Sequence, residues 1–468
     1  MDEKGLRELI KKVAEDFGRT PTSNRNSGGI FPGINEAISA AASAFGAYGE
    51  FPLEKRHNII EAIRAAALAN APALAELTVE ETGMGKVADK IAKIGLVAGK
   101  TPGVSDVQPK VFTGDHGLVL EERAPYGIIG SITPSTNPAA TVINNSISAL
   151  AGGNTIVFHP HPSAKLTSIA AVKTVNAAIA SAGGPADLAV TITDPTLESS
   201  SALMKHPDID LLVATGGEFM VHLAMNSGKK AIVAGPGNPP SLVDETADIA
   251  RAAADIVASS SFDNNLVCIL EKEVFAVDSI AASLIEKMAD NGAFIVARED
   301  IGKITELVIA KDEGTGYRVP QVNKKYVGKD PAVILRDAGI SVPENIRIAI
   351  IEVDWDHPLV QAEQLMPVLP VVRVKDWEEG MERSLLTEHG YRHTFTMHST
   401  NIDRLSTMAK KCNASIFVKN GMSLQGLGYM GEGPSSMTIA TPTGEGVTTA
   451  VTFTRIRRCA LVDRFRII

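Results

Sequence analysis

The sequence predicts an α/β protein with a doubly wound parallel sheet and a second α/β unit, and three observations predict it. Short apolar runs rich in Val, Ile and Leu recur between helical stretches. The composition is 44% hydrophobic with 40 glycines but only 5% aromatics, the balance of alternating helix and strand. At 468 residues the chain is too long for one ordinary core and implies two or three domains.

In chain order, Leu6, Leu9, Ile10, Val13 and Phe17 fall at helical spacing among charged residues. Residues 1–18 therefore read as an amphipathic docking helix, and the polar, Gly-containing stretch 19–33 as a linker. Alanine-rich helical pattern fills 34–100 and is broken by Glu81-Thr-Gly-Met-Gly85. Residues 108–124 alternate as strands about a turn at Thr113-Gly-Asp-His-Gly117. Strands are expected at 127–132, 155–158, 188–191, 209–214 and 230–234, separated by helices. A helix over 247–258 and a strand over 268–277 open the second run, which extends to about 425. The alternating tail, 448–463, carries its charge on one face and suits a strand exported to a neighbouring subunit.

Formal net charge is −9 with basic residues scattered, so no surface is built to track nucleic acid. Arg455-Ile-Arg-Arg458 and Lys410-Lys411 read as solvated charge. Cysteines at 268, 412 and 459 form neither a disulfide framework nor a metal cluster, and suit a reducing cytosol. No run reaches the ~20 apolar residues of a membrane span, and no signal-peptide block is expected.

Cys268 carries the chemistry. It follows Ser259-Ser-Ser-Phe-Asp-Asn-Asn-Leu-Val267, where a small-residue helix gives way to apolar sequence, a junction that can hold a thiol out of the core. Cys412 and Cys459 have cationic neighbours but lack such pocket-forming residues. Gly426-Leu-Gly-Tyr-Met-Gly431 matches a dinucleotide fingerprint in letters only, because it runs into Glu-Gly-Pro instead of a helix.

The ordered segments Glu81–Gly85, Pro134–Pro138, Ser163-Ala-Lys165, Ala234–Pro240, Glu363–Pro370 and Thr438–Gly446 resemble the aldehyde dehydrogenase superfamily. Within it the chain is similar to the CoA-acylating propionaldehyde and acetaldehyde dehydrogenases of propanediol and ethanolamine utilisation. The resemblance implies a Rossmann-type nucleotide-binding domain over 34–107 and 125–235, a catalytic domain over 236–446, and an oligomerisation flap over 108–124 and 447–468. It implies NAD as cofactor, with Thr133, Pro134, Ser135 and Thr136 at its nicotinamide end and His159-Pro160 at the adenosine ribose. Thr215-Gly216-Gly217 would lie beside the diphosphate, and Glu363 would hold the nicotinamide ribose. Cys268 is the nucleophile of that pattern and His393 a proton relay near it. The resemblance implies that Asn137, with the backbone N–H of Cys268, would donate to the oxyanion, although Asn137 follows Pro134 by three residues where many relatives have two, leaving Thr136 in the usual slot.

The resemblance sets Ala234 where hydrolytic relatives carry the glutamate that activates water. Alanine accepts no proton, which points to coenzyme A as acyl acceptor in a ping-pong cycle. A hydrolytic enzyme using Glu271 or Glu363 is the alternative. Implied partners are a short-chain aldehyde, propionaldehyde favoured, a homo-oligomer mate and a microcompartment shell protein met through residues 1–18. The implied location is the cytoplasm, inside a bacterial microcompartment.

Overall fold

Two wholly parallel sheets carry the molecule, whose computed structural model describes residues 28–310 and 319–468. The expected docking helix, and the linker as far as residue 27, lie outside the described residues, and the end of the expected linker is instead strand Ile30–Phe31, paired with Thr191 and Ile192. In the first sheet six strands lie in the order Ile30–Phe31, Ala189–Ile192, Thr155–His159, Ile128–Ile132, Leu211–Thr215 and Ala231–Ala234. Its central strands are buried along both faces, which is why they read as unbroken apolar runs. From Ile128–Ile132 the chain winds outward through two strands, then crosses back to wind the other way. That reversal leaves a crevice beyond the carboxyl ends of Ile128–Ile132 and Leu211–Thr215.

Helix Pro138–Ala151 is buried at every position and packs among helices Leu53–Thr82, Val87–Lys100 and Lys165–Ser181. Its small and apolar residues permit burial all round, and Pro138 opens it where a missing N–H costs nothing. The segment Glu81–Gly85 now has a mechanical explanation. Glu81 accepts the backbone N–H of Leu166 (2.7 Å) and of Thr167 (2.8 Å), capping helix Lys165–Ser181 from outside. Gly83 ends helix Leu53–Thr82 in the left-handed conformation.

The second sheet runs Ala293–Ile295, Ile348–Glu352, Val368–Val374, Glu273–Val277, Pro240–Val243, Thr394–His398 and Ile416–Lys419. Here the structure corrects the expected strand at 268–277. The helix ends at Ser260, and the strand begins only at Glu273, because Asp263, Asn264 and Asn265 adopt positive φ (47°, 54°, 65°) and turn the chain first.

Strands Lys110–Gly114, Gly117–Pro125 and Thr454–Val462 form a separate antiparallel flap. The tail strand is not exported whole, since it pairs from Thr454↔Pro125 to Val462↔Gly117 within its own chain. Among the described residues its other edge is unpaired. Among the described residues no helix is long and apolar enough to cross a membrane.

Candidate active site

Cys268 lies half-buried just beyond the left-handed triplet Asp263-Asn264-Asn265. Asp and Asn are the ordinary residues that tolerate this conformation best, and here each also spends its side chain on a different wall. Asn264 donates to Gly328 O and Asp330 Oδ1, both at 2.9 Å. Asn265 donates to Ser260 O (2.8 Å) and Glu271 O (3.0 Å), closing the loop on itself. Asp263 turns toward helix Val87–Lys100. Its Oδ1 accepts the Lys86 N–H (2.8 Å), and its Oδ2 accepts from Lys90 (3.1 Å) and Lys93. Gly85, at φ +78°, is needed there because a β-carbon would collide with that carboxylate.

The buried Lys272 completes the floor. Its ammonium donates to Asn265 O (3.1 Å), Asn265 Oδ1 and Val267 O (3.3 Å), which places a positive charge under the thiol. Burial pushes the Cys268 thiol up to about 12, and the Glu363 carboxylate adds to this, while Lys272 pulls the other way. Burial draws Lys272 itself down to about 8.

Gly237 sits between Cys268 and His393. A β-carbon on it would lie 2.8 Å from His393 Cγ and 3.1 Å from the carbonyl oxygen of Cys268, so only glycine admits the imidazole so close to the thiol loop. His393 is fully buried. Its N–H donates to Glu388 Oε1 (2.7 Å), its Nδ1 lies 2.9 Å from Thr394 Oγ1, and its Nε2 has no partner. Burial, with Lys272 nearby, pulls the imidazole down to about 3, which keeps the ring unprotonated. Glu363 is held nearby through the Gly237 N–H (3.2 Å), and burial raises it to about 7 despite Lys272. Glu271, the other candidate base, is tied to Ser423 by 3.0 Å bonds to both of its oxygens and is buried away.

Asn137 lies on the opposite wall as the residue before helix Pro138–Ala151. Its Oδ1 accepts from Lys93, and its Nδ2 donates to Thr136 Oγ1 (3.2 Å). Thr136 O receives Lys90 (3.3 Å). Thr133, Pro134, Ser135 and Thr136 therefore line the crevice edge between Ile132 and the amide, with Thr133 Oγ1 buried and unpartnered. Across the crevice, Thr215 and Gly216 are half-buried, and Gly217, exposed at the start of helix Glu218–Met225, faces open space where a β-carbon would stand. An orphaned hydroxyl on one lip and a bare helix start on the other fit a dinucleotide laid across the switch point.

His159, expected at a ribose, packs against helix Leu197–Lys205. The ring is buried, its Nε2 is 2.7 Å from Ser199 Oγ, and burial pulls it down to about 4. Pro160 is buried beside it. Ala234 ends its strand paired with Thr215, so no side-chain carboxylate is offered from that position. The Gly426–Gly431 segment is a 3₁₀ turn followed by a left-handed Gly428, with no helix after it.

Sequence reasoning missed Asp263, Lys93, Lys90 and Lys272. A signal for the helical pair existed: positions 90, 93, 94 and 97 share one face, so both lysines lie on the stripe of Ile94 and Val97.

A parallel sheet whose strand order reverses, together with a half-buried thiol on a loop held by Lys272, is the arrangement of a dehydrogenase that works through a covalent acyl-enzyme. The model of the aldehyde dehydrogenase family matches residues 32–438, and the chain belongs to that family. It is 48% identical, over 94% of its length and 91% of the other chain, to an acetaldehyde dehydrogenase (acetylating) of Bilophila wadsworthia. A propanal dehydrogenase (CoA-propanoylating) of Salmonella typhimurium is 45% identical over 99% of this chain and 98% of its own. Among solved structures, the propionaldehyde dehydrogenase of the Clostridium phytofermentans fucose utilisation microcompartment superposes with a TM-score of 0.91 at 47% identity, over 94% of this chain and all of that one. A Rhodopseudomonas palustris propionaldehyde dehydrogenase, at a TM-score of 0.90 and 44% identity over 93% of this chain and 99% of its own, was solved with CoA bound and a cysteine acylated.

Proposed function

We propose that the protein is a CoA-acylating aldehyde dehydrogenase that converts a short-chain aldehyde, propionaldehyde favoured, with CoA and NAD+ to acyl-CoA and NADH. The observation that carries the choice of acyl acceptor is Ala234: the crevice offers no glutamate there to activate water, and Glu271 is sequestered on Ser423. A thiol needs less help, because it ionises far more readily than water.

Cys268 sulfur attacks the carbonyl carbon, and its proton passes to the unpartnered Nε2 of His393, a transfer made uphill by the burial that holds the ring down to about 3. The carbonyl oxygen gains negative charge and takes hydrogen bonds from the Asn137 amide and the Cys268 N–H, a donor of this kind being worth roughly 3 kcal/mol. Thr133–Thr136 and Thr215–Gly217 would hold the cofactor and Glu363 its nicotinamide ribose, and the cofactor would supply the hydride acceptor. The thioacyl group left on Cys268 is then attacked by the CoA sulfur. The CoA thiol gives up its proton, its sulfur bonds to the acyl carbon, the bond to Cys268 breaks with that proton restoring the Cys268 thiol, and the proton taken in the first step is released with NADH.

The open edge of Thr454–Val462, with Ile456 and Val462 exposed, suits pairing between subunits. Microcompartment placement is supported by similarity to the microcompartment enzyme, and residues 1–18 are assigned as the shell contact on their amphipathic spacing alone. Rapid-mix assays test the central claim. Without CoA, NADH should stop at about one equivalent per Cys268, and Cys268→Ser should yield neither this burst nor acyl-CoA. Sustained CoA-free turnover would establish hydrolysis instead.

A further inference from the structure

We propose that Lys93, anchored on Asp263, is the positioning residue that decides which end of the Asn137 amide faces the reacting carbonyl. The inference rests on Asn137 serving as an oxyanion donor. A carboxamide turned half a circle about its terminal bond presents an acceptor instead of a donor, and an acceptor would repel the developing oxyanion. Lys93 removes that ambiguity. An ammonium carries donors only, so it accepts the Asn137 Oδ1 as neighbour and rejects the NH2 group. The amide's two N–H groups are then the end left over, at present resting on Thr136 Oγ1 at 3.2 Å.

Lys93 can do this because it has little freedom of its own. It is 3% exposed, and its second contact is to Asp263 Oδ2, on a carboxylate already fixed by the Lys86 N–H and by Lys90. Lys90 in turn holds Thr136 O, fixing the backbone on which Asn137 stands. Since Asp263 lies five residues before Cys268 and shares the loop with it, one carboxylate registers the nucleophile and the oxyanion donor against each other.

A double-mutant cycle in the full chain tests this. Lys93→Met keeps the length and apolar stem but cannot hold Oδ1. Removing a single oxyanion donor costs ~10²-fold in kcat or more. Lys93→Met should therefore lower kcat by at least ~10-fold, with KM for aldehyde and CoA changed less than ~3-fold. In an Asn137→Ala background the same substitution should cost less than ~3-fold more. If the two losses multiply, Lys93 acts through something other than the amide and the proposal fails while the oxyanion reading stands. If Asn137→Ala leaves kcat unchanged, that reading fails and takes the proposal with it.

Lys93→Gln guards against a variant that does not fold. It refills the space with a group that both donates and accepts, so it should lose less than Lys93→Met and still add almost nothing to Asn137→Ala. A Lys93→Gln enzyme with undiminished kcat, or one whose loss persists in full without Asn137, overturns the assignment.

Discussion

The molecule holds two ion networks of opposite design, one dry and one wet. In the first, two lysines share a single carboxylate: Lys90 and Lys93 meet Asp263, and none of the three is more than 4% exposed. In the second, two carboxylates share one cation: Arg373 bridges Glu352 (2.9 Å) and Asp278 (3.1 Å) at the surface of the second sheet. On a diagram both look like salt-bridge triads. Water separates them, since an exposed charge left alone is resolvated whereas a buried one is not. The dry triad lies where the chemistry needs a fixed geometry, between the thiol loop and the Asn137 wall. The wet one lies where the fold needs nothing more than strand cohesion.

The sharpest way to break that contrast is Asp263→Ala. It leaves two buried ammonium groups without their counter-charge, and losing one partner of a buried pair typically costs about 3–5 kcal/mol. Denaturant unfolding should show a loss of that size, and acyl-CoA formation should fall by at least ~10²-fold as Lys93 and the loop lose register. The sign of its pH dependence is fixed. Burial already draws Lys90 down to about 8 with Asp263 in place, and without it the lysine sheds its proton more readily still. The native variant then binds fewer protons than its unfolded chain, so its stability rises with pH. The deficit should shrink between pH 7 and 9.

Lys272 offers a smaller, more local test. It is buried like Lys90, but its three hydrogen bonds go to neutral acceptors, and the charges it faces are Glu363 first and then the one Cys268 acquires on ionising. Alkylation of the resting enzyme by iodoacetamide follows the thiolate. With the thiol pushed up to about 12, alkylation of the parent should be slow at pH 7 and climb through pH 10 without levelling. Lys272→Met removes the ammonium that favours the thiolate, so alkylation at pH 8 should slow by ~10-fold, one pKa unit. An unchanged rate would show that Lys272 ties the loop together and nothing more.

These buried lysines also mark what could be read from sequence and what could not. Five of the six strands of the first sheet were legible to within two residues because burial on both faces leaves an apolar run with no competing pattern, whereas the two-residue edge strand Ile30–Phe31 reads as linker. Cys268 was legible because Phe-Asp-Asn-Asn-Leu-Val is neither helix nor strand. The same letters misled on the strand start, for three consecutive left-handed residues are set by side chains bonding to Gly328, Lys86 and Ser260, all distant in sequence or on another element. His393 was found by position but its acidity was not, since a downward shift to about 3 comes from complete burial, which no local pattern states. Lys93 was passed over because lysine at three-residue spacing ordinarily means a solvated face, and only the tertiary partner Asp263 makes an apolar stripe hospitable to it.

The mildest test lies at the wet end of the comparison. Arg373 is the one exposed residue of strand Val368–Val374, and its guanidinium meets Glu352 on the neighbouring strand with a two-pronged bond, Nε to Oε1 at 2.9 Å and Nη2 to Oε2 at 3.2 Å. Bidentate geometry is the strongest form a surface pair takes. Even so, Arg373 keeps 36% of its side-chain surface in water and Asp278 keeps 67%, so their charges are largely hydrated before any bond is made. Arg373→Ala should cost about 1 kcal/mol or less, and 0.5 M salt should erase most of the difference by screening. Acyl-CoA formation should match the parent, because the strands that Arg373 bridges are held by apolar burial beneath it, at Val372 and Val374. A loss approaching that of Asp263→Ala would mean that this surface is covered in the assembled protein, and that the wet triad is dry after all.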